Sequence, residues 1–433
     1  MNRANSGPSA SHGSGPSVNG SGSRARQRAF CVAALPEGED LAELGELLRT
    51  AGVAVVGEMV QRREQPHPNT YLGAGKVTEA KLAAEQADAN LIACDDELTP
   101  RQERNLEQAI GLPVVDRTTV ILDIFAAHAD TAEGKLQVEL AQLEYNLARM
   151  RGLWSHLERL GGGIGTRGPG ESQIETDRRL ARDRISALRR RLEHVKGTRA
   201  VMRAERERAA LPTIALAGYT NAGKSTLMNM LTGSEVGVRD RLFHTLDPST
   251  RTMRLGGRSY LLTDTVGFIR KLPHQLIDAF GATLEETRRA DLLLHVLDAS
   301  VAEDEVEMMR LAVDRVLNEI LDDDAPRLLV LNKVDLLDEE ARHLLLLRHP
   351  DAIFVSGSTG EGLEGLGERI EREFRRTLCP VELLVPYSDG GSLAELHELA
   401  GQVRRRDTPE GVLVRALIPA RLAARYARFA VAS

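Results

Sequence analysis

Aromatic residues and cysteines are scarce in this chain of 433 residues. Phe, Trp and Tyr together make up 3% of it, so stacking of exposed bases on aromatic side chains is a poor first hypothesis for its function. The three cysteines, Cys31, Cys94 and Cys379, lie far apart and have neither the spacing of a disulfide framework nor that of a metal-binding motif. We therefore expect a protein of the reducing cytoplasm.

Long apolar runs are also missing. No stretch approaches the ~18 consecutive apolar residues that span a membrane, and the N-terminus lacks the charged-then-apolar order of a secretion signal. The hydrophobic share of 42% and the charged share of 27% are typical of a globular protein. We expect a soluble chain of two or three domains that does not associate with membranes.

The first 128 residues divide into a tail and a small domain. Residues 5–23 are almost wholly Gly, Ser, Pro, Asn and other small residues, which bury too little apolar surface to offset the entropy of ordering. We therefore predict a disordered tail over residues 1–28. Beyond it, apolar runs alternate with helix-like stretches, which predicts a small α/β domain over residues 29–128. The runs are residues 31–35, 53–55, 90–93 and 112–115.

Apolar residues change their spacing in the next segment, residues 129–210. They recur at steps of four and three before and after the glycine-dense residues 161–170, which is typical of heptads. We therefore predict two antiparallel helices joined by a glycine loop. The first heptad positions are Leu136, Leu140, Leu143, Leu147, Met150, Trp154 and Leu157, and the second are Ile185, Leu188, Leu192 and Val195.

Positive charge concentrates in this helical hairpin. Residues 151–210 hold 15 Lys or Arg against 8 Asp or Glu, so that the rest of the chain carries a net charge of -14. A solvated coiled-coil surface would explain the charge alone. The glycine loop, however, is longer than two helices require, and it places Arg167 among backbone amides that can meet phosphates. A polyanionic partner is the better interpretation.

A phosphate-binding loop begins the next predicted domain, residues 211–378. An apolar strand at residues 213–217 precedes it and a helical pattern at 226–231 follows, which is the order that such a loop requires. Lys224 can neutralise the β and γ oxygens, and Ser225 can offer its hydroxyl to Mg²⁺. We expect nucleotide contacts from Gly218, Tyr219, Thr220, Asn221, Ala222, Gly223, Lys224 and Ser225.

A second phosphate-sensing motif follows the predicted strand 260–262. Asp264 has the spacing at which a carboxylate holds the magnesium shell, and the Gly267 amide can sense the γ-phosphate. We therefore expect Gly267 to act in catalysis together with Lys224. The nucleotide contacts expected from this motif are Asp264, Thr265, Val266 and Gly267.

The base is selected after two further predicted strands, residues 291–297 and 327–331. Asp335 can accept both the N1–H and N2–H donors of guanine, whereas adenine presents the opposite polarity. Alone, this motif could equally be a strand end and helix cap, but its order after the other motifs favours guanine recognition. A fifth strand, 352–355, leads into a loop expected to close over the base. The contacts that we expect are Asn332, Lys333, Val334, Asp335, Ser356, Gly357 and Ser358.

Two positions bear on hydrolysis. Many GTPases place a water-orienting glutamine after the glycine of the second motif, but this chain has Phe268 there. We predict slow intrinsic hydrolysis, with another residue or a partner positioning the water; Phe268 could also simply fill an apolar pocket. Asn221 resembles an asparagine that helps some GTPases bind K⁺, although it could instead cap its own loop.

The remaining segments are less informative. Residues 243–251 form a polar stretch that should hold a magnesium-sensing threonine, either Thr245 or Thr250, unless both are ordinary loop residues. His295 is predicted to be a hydrogen-bonded core residue. Residues 379–433 read as a small α+β domain, in which the arginines 404–406 are expected to be solvated.

Taken together, these motifs resemble the HflX family of GTPases. Residues 161–179, the glycine loop and its exit, match that family's signature, as do residues 95–106 and 115–125. The likeness covers the chain from about residue 29 to its C-terminus. It favours Thr245 as the catalytic switch threonine and, with Ser225, as a ligand of Mg²⁺. The nucleotide contacts that it implies for this stretch are Phe243, His244, Thr245, Leu246 and Asp247.

From pattern and resemblance together we expect an α/β protein. A P-loop GTPase domain, with a parallel sheet and helices on both faces, follows the small α/β domain and the helical hairpin and precedes the α+β domain. The resemblance implies that the hairpin reaches the RNA of the large (50S) ribosomal subunit. It also implies a role in protein synthesis, in dissociating or rescuing ribosomes under stress, or in ribosome biogenesis.

Two other function classes stay open. One is a GTP-dependent regulatory switch whose basic hairpin docks on a protein or a membrane partner. The other is a non-enzymatic scaffold in which Phe268 has abolished turnover, although the presence of Lys224, Ser225, Thr245 and Asp264 argues against it. We expect a monomeric GTPase that ribosomes stimulate and that does not bind DNA.

Overall fold

The computed structural model describes residues 27–38, 40–150, 169–209, 211–234, 242–243, 248–271, 273, 281–321, 325–376 and 378–431. The chain divides into two compact units, residues 1–124 and 125–433, and each is described by itself. Nearly all of the predicted tail and most of the glycine loop lie outside the described residues. Within the described ranges, no helix is long and apolar enough to cross a membrane.

The N-terminal unit alternates strands with helices, as its apolar runs predicted. Its strands are β1 (Arg28–Leu35), β2 (Ala54–Arg62), β3 (Leu91–Cys94) and β4 (Val114–Asp116), and its helices are α1 (Ala42–Thr50), α2 (Ala74–Gln86), α3 (Pro100–Ile110) and α4 (Arg117–His128). The strands pair in parallel in the order β2-β1-β3-β4. Since helices cover a parallel sheet, its strands are rich in apolar residues.

Helix α3 shows how the sequence sets element ends. The Thr99 side chain accepts from the Gln102 amide while the Gln102 side chain accepts from the Thr99 amide, and Pro100 takes the first helical position. The helix ends at Gly111, whose φ of 86° is unfavourable for other residues. The predicted stretch of residues 99–110 therefore ends at both sides for identifiable chemical reasons.

One buried cation holds three elements of this unit together. Arg117, 1% exposed at the start of α4, lies 2.7 Å from Asp95 after β3 and 2.5 Å from Glu43 on α1. Losing either carboxylate would leave part of a buried charge without a partner, which is strongly destabilising. The cluster therefore fixes the carboxyl edge of the sheet.

Two helices, α5 (Ala132–Met150) and α6 (Pro169–Ala209), occupy most of the segment predicted as a helical hairpin. The second heptad prediction is confirmed at Ile185, Leu188 and Leu192, which are all buried. The first differs in its burial: Leu136, Leu140, Leu143 and Leu147 are only half-buried, and the buried residues of α5 include Val138, Ala141 and Tyr145. At 100° per residue the leucines lie on the opposite face of α5, between Glu139 and Glu144, which pair with Arg184 and Arg189 of α6.

A six-stranded sheet forms the core of the second unit. Its strands are β5 (Thr213–Gly218), β6 (Ser249–Leu255), β7 (Arg258–Asp264), β8 (Leu292–Asp298), β9 (Arg327–Asn332) and β10 (Ile353–Phe354), in the order β10-β9-β8-β5-β7-β6. The helices interleaved with them are α7 (Lys224–Thr232), α8 (Gly281–Arg289), α9 (Glu303–Ile320), α10 (Glu339–Arg348) and α11 (Leu363–Arg375). All pairings are parallel except that of β6 with β7.

This sheet agrees with five of the predicted strands and adds one. Strand β6 covers part of the stretch that was interpreted as a switch loop, so that interpretation is wrong for residues 249–251. Because the five parallel strands end at one edge, the loops that follow them meet there. The phosphate loop, the motif from Asp264 to Gly267, the motif from Asn332 to Asp335 and the loop from Ser356 to Ser358 lie at this edge.

The C-terminal residues form an antiparallel sheet with helices, in agreement with the predicted α+β domain. Its strands are β11 (Leu378–Val385), β12 (Gly401–Thr408) and β13 (Gly411–Pro419), in the order β11-β13-β12, and its helices are α12 (Gly390–Leu399) and α13 (Ala420–Tyr426). Arg404, Arg405 and Arg406 are exposed on the edge strand β12.

Candidate nucleotide-binding site

The phosphate-loop residues predicted from the sequence connect β5 to α7. Gly218 ends β5 so close to β8 that a Cβ there would lie 2.0 Å from the Val296 carbonyl oxygen. Gly223 has a φ of 84°, and a Cβ on it would lie 2.3 Å from the Asn332 Nδ2 atom. Both positions therefore require glycine, one for strand packing and the other for the turn. Asn221 also has a positive φ, 61°, which asparagine tolerates.

Lys224 lies beneath this loop. Its side chain is 7% exposed, and its Nζ atom donates to the carbonyl oxygens of Gly218 at 3.1 Å and Tyr219 at 2.8 Å. Desolvation lowers the pKa of this ammonium to about 8, and the Asp264 carboxylate opposes the shift. Phosphate oxygens can replace these carbonyl oxygens as hydrogen-bond acceptors for the buried ammonium.

Two oxygen donors meet beside the lysine. The Ser225 hydroxyl, at the start of α7, donates to the Asp264 Oδ2 atom at 2.5 Å, and Asp264 at the end of β7 is 1% exposed. A hydroxyl and a carboxylate are hard oxygen ligands, the kind that Mg²⁺ prefers, and water and phosphate oxygens complete its coordination shell. The donor set therefore fits Mg²⁺.

The residues after Asp264 divide between packing and the site. The Thr265 hydroxyl donates to the Leu216 carbonyl oxygen at 2.7 Å inside the core, so this side chain fixes β7 to β5. Val266 is also mostly buried. Gly267, in contrast, packs against the phosphate loop: a Cβ there would lie 2.8 Å from the Thr220 Cα atom and 3.1 Å from Lys224 Nζ. Only glycine brings this backbone so close to the lysine.

Phe268 is bound to the phosphate loop through its backbone. Its amide donates to the Gly218 carbonyl oxygen at 3.0 Å, and its carbonyl oxygen accepts from the Thr220 amide at 2.7 Å. The Arg270 amide adds a bond of 2.8 Å to the Tyr219 hydroxyl. The Phe268 residue is 3% exposed, so its ring fills an apolar space.

Asn332 joins two loops of the site. Its Nδ2 atom donates to the Ala222 carbonyl oxygen at 2.8 Å, and its Oδ1 atom accepts from the Gly357 amide at 2.9 Å. Beside the guanine contact that the sequence predicts, these bonds give the side chain a positioning role between the phosphate loop and the loop after β10.

Lys333 and Asp335 lie at the edge of the same site. Lys333 has a φ of 65° and its Nζ atom lies 2.5 Å from Asp298 Oδ2, while the other Asp298 oxygen accepts from Ser300. Asp335 is exposed in a short 3-10 helix, Val334–Leu336, while Val334 itself is buried. An exposed carboxylate beside a held lysine can accept the two guanine donors.

The loop after β10 is fixed from within. Ser356 is fully buried, and its hydroxyl oxygen accepts from the amides of Ser358 at 3.3 Å and Thr359 at 3.0 Å. Gly357 packs on the first turn of α7, where a Cβ would lie 3.2 Å from the Leu227 amide nitrogen. Ser358 is exposed. Through Gly357 the structure thus brings this loop onto the helix that directly follows the phosphate loop.

The switch prediction is only partly within the described residues. His244, Thr245, Leu246 and Asp247 lie outside them. Phe243 is 2% exposed and its ring meets that of Phe125 edge-on at 4.6 Å, so it packs in a core. The Thr250 and Thr263 hydroxyls are 3.0 Å apart across β6 and β7, which engages the competing threonine within the sheet.

Sequence reasoning missed Asp298 and the bond between Tyr219 and Arg270. Asp298 is a polar residue at the carboxyl end of a buried strand, a signal that could have been used. The Tyr219 contact depends on two loops meeting in space, and no spacing indicates it. His295 agrees with its prediction, since it is 4% exposed and its Nδ1 atom lies 3.5 Å from Asp314.

Comparison with known proteins covers nearly the whole chain. Family models match residues 38–126 (GTP-binding GTPase N-terminal), 128–206 (GTP-binding GTPase Middle Region) and 213–333 (50S ribosome-binding GTPase). A solved GTP-binding protein from Sulfolobus solfataricus, in complex with GDP, is 26% identical with a TM-score of 0.43, over 80% of this chain and 98% of that one.

Curated relatives named GTPase HflX are much more similar. That of Lacrimispora saccharolytica is 47% identical over 89% of this chain and 91% of the relative, and that of Escherichia coli K12 is 44% identical over 83% and 85%. A third, from Caldanaerobacter subterraneus subsp. tengcongensis, is 44% identical over 94% and 95%. With the phosphate loop, the Ser225 and Asp264 pair and the Asn332 clamp in place, this chain belongs to the HflX family of GTPases and hydrolyses GTP.

Proposed function

We propose that this GTPase binds the large ribosomal subunit and acts in protein synthesis, in ribosome dissociation or rescue under stress or in ribosome biogenesis. The observation that carries the proposal is the match of residues 213–333 to a model described as a 50S ribosome-binding GTPase. The sustained similarity to HflX relatives along most of the chain supports it. Ribosome binding would then involve the domains before the nucleotide site as well.

Helix α6 supplies the surface charge that such a partner requires. Arg179, Arg182, Arg190 and Arg191 are exposed along it, while Arg184 and Arg189 pair with Glu139 and Glu144 of α5 at 2.7 and 2.8 Å. Exposed arginines contact the phosphates of folded RNA, where shape and charge count for more than base edges. The helix is therefore suited to ribosomal RNA.

Each residue of the site would have its own role in nucleotide binding and hydrolysis. Lys224 and the Gly267 amide would hold the β- and γ-phosphate oxygens, and Asp335 would select guanine. Ser225, Asp264 and Thr245 would hold Mg²⁺, which neutralises developing charge on the phosphates when bound. Because Phe268 offers no polar group, intrinsic hydrolysis would be slow and stimulated by the ribosome.

Sedimentation through sucrose gradients tests the proposal. The purified chain would be mixed with ribosomes and a non-hydrolysable GTP analogue, with GDP, or with no nucleotide, and in parallel with vesicles of acidic lipid. We expect the protein to travel with the large subunit in the triphosphate state and joined ribosomes to decrease. A protein that stays at the top of every ribosome gradient but pellets with vesicles would instead be a membrane-docked switch.

We further propose K⁺ as a cofactor, because Asn221 in the phosphate loop resembles the asparagine that helps some GTPases without the glutamine to bind K⁺. Its side-chain oxygen could then complete a cation site next to the phosphates. Hydrolysis would be faster in K⁺ buffer than in Na⁺ buffer, and an Asn221→Ala variant would lose the difference. Equal rates in the two buffers would reject this part of the proposal.

A further inference from the structure

Asp298 is a buried acidic residue at the carboxyl end of β8 that none of the predicted nucleotide motifs includes. It is 8% exposed, and both of its carboxylate oxygens have partners. The Oδ2 atom lies 2.5 Å from the Lys333 Nζ atom, and the Oδ1 atom accepts from the amide of Ser300 at 2.9 Å and from its hydroxyl at 2.6 Å. Bonds to both oxygens fix the orientation of the carboxylate, so it can hold the lysine in one place.

A backbone bond joins the same two segments. The Ala299 amide, directly after Asp298, donates to the Asn332 carbonyl oxygen at 2.9 Å. Strands β8 and β9 are paired up to their last residues, Asp298 and Asn332. Lys333 is the first residue beyond this pairing, so its side-chain bond to Asp298 extends the connection between the two strands by one residue.

Lys333 has a backbone conformation that requires support. Its φ of 65° lies in the left-handed region, which costs free energy for a residue with a side chain. This turn begins the short 3-10 helix, Val334–Leu336, that carries Asp335. A strained backbone in a site persists only where the surrounding contacts hold it. The ion pair with Asp298 therefore stabilises the turn that presents Asp335.

The Lys333 ammonium can reach water if the carboxylate is removed. Its side chain is 26% exposed, so without Asp298 the charged group can turn outward and be hydrated. Hydration would replace the lost ion pair, but the strain of the turn would remain. The turn would then sample several conformations, and only some of them direct the Asp335 carboxylate towards a base. Ordering such a segment on binding lowers the affinity for the ligand.

We propose that Asp298 is a positioning residue for guanine recognition, which acts through Lys333 and fixes the turn that carries Asp335. This role rests on the proposed contact of Asp335 with guanine. The side-chain partners of Asp298 are Lys333 and Ser300, which belong neither to the phosphate loop nor to the expected Mg²⁺ ligands. Loss of its charge should therefore weaken the binding of GDP and GTP equally and leave the hydrolysis of bound GTP unchanged.

Equilibrium binding of GDP and single-turnover hydrolysis of GTP, both with the full chain, test this role. Asp298→Asn keeps the size of the side chain and an acceptor for Ser300 but removes the charge. The Kd for GDP should rise about tenfold, because a hydrogen-bonded ion pair is lost. The hydrolysis rate constant at saturating GTP should change by less than about twofold.

Asp304 provides a matched control, because Asp304→Asn removes an exposed charge from the first turn of α9. This variant should bind GDP as the parent does. Equal Kd values for GDP in the Asp304 and Asp298 variants would overturn the proposal, since the Asp298 charge would then have no special effect on the site.

A double-mutant cycle separates positioning from a general loss of structure. Lys333→Met should raise the Kd for GDP at least as much as Asp298→Asn does, and adding Asp298→Asn to it should change that Kd by less than about twofold. Additive losses would overturn the positioning role and leave the guanine contact standing. A parent-like Kd for GDP in Asp335→Ala would reject the guanine contact itself, and the positioning role with it.

Discussion

Several residues of the nucleotide site form hydrogen bonds with other protein atoms. Lys224 bonds to two loop carbonyls, Ser225 to Asp264, and Asn332 to the loops on either side of it. Bonds of this kind fix the geometry in advance, so less ordering is required when nucleotide binds. The arrangement has a desolvation cost at Lys224, because burial disfavours the charged form of its ammonium group.

That burial gives nucleotide binding a defined pH dependence. The pKa of Lys224 is lowered to about 8, so the ammonium is mostly charged at about pH 7 and mostly neutral at about pH 8.5. Phosphates favour the charged form and raise its pKa again. GDP binding should therefore take up a proton at about pH 8.5 and weaken as the pH rises through 8, with little uptake at about pH 7.

Calorimetry in buffers of different ionisation enthalpy measures that proton directly. Lys224→Arg serves as the control, because a guanidinium stays charged at both pH values and should abolish the uptake. No proton uptake by the parent at the higher pH would contradict this account of Lys224.

Secondary-structure elements were predictable where composition and spacing agree. Strands β5, β8 and β9 are continuous apolar runs and the loops after them carry motifs, so both were evident from the sequence. Strand β6 was missed because the polar sequence from Ser249 to Arg251 is typical of a loop, and only its pairing with β7 makes it a strand. Tertiary contact overrode local propensity there.

The same limit applies to helix α5 and to Asn332. Leucine spacing predicted the helix correctly but not its buried face, because burial depends on which neighbours approach. The Asn332 motif predicts a nucleotide contact but not the bonds of this side chain to Ala222 and Gly357, which lie far away in sequence. Contacts between distant loops have no signature in a single sequence.

At the scale of elements, helix α6 should carry the charge-dependent part of ribosome binding. Replacing Arg190 and Arg191 by Gln removes two exposed charges and should weaken binding about equally for any RNA sequence. The slope of log Kd against the logarithm of the salt concentration should become smaller by about 1 to 2. The matched control is the pair Arg404→Gln and Arg406→Gln, which removes the same charge from β12. An equal loss of ribosome affinity in the two double variants would mean that binding depends only on the net charge of the chain.

Across the whole molecule, charge is unevenly distributed. The net charge of the chain is -7, yet residues 151–210 contain 15 positive and only 8 negative side chains. Such a distribution favours approach to RNA by one segment and disfavours it elsewhere, which orients an encounter.

The central claim is that this GTPase hydrolyses GTP slowly alone and faster on the large ribosomal subunit. Phosphate release by the purified chain, alone, with large subunits and with small subunits, measures it most directly. The account predicts at least a tenfold stimulation by large subunits and little by small ones. An unchanged rate with large subunits, or equal stimulation by both, would contradict it.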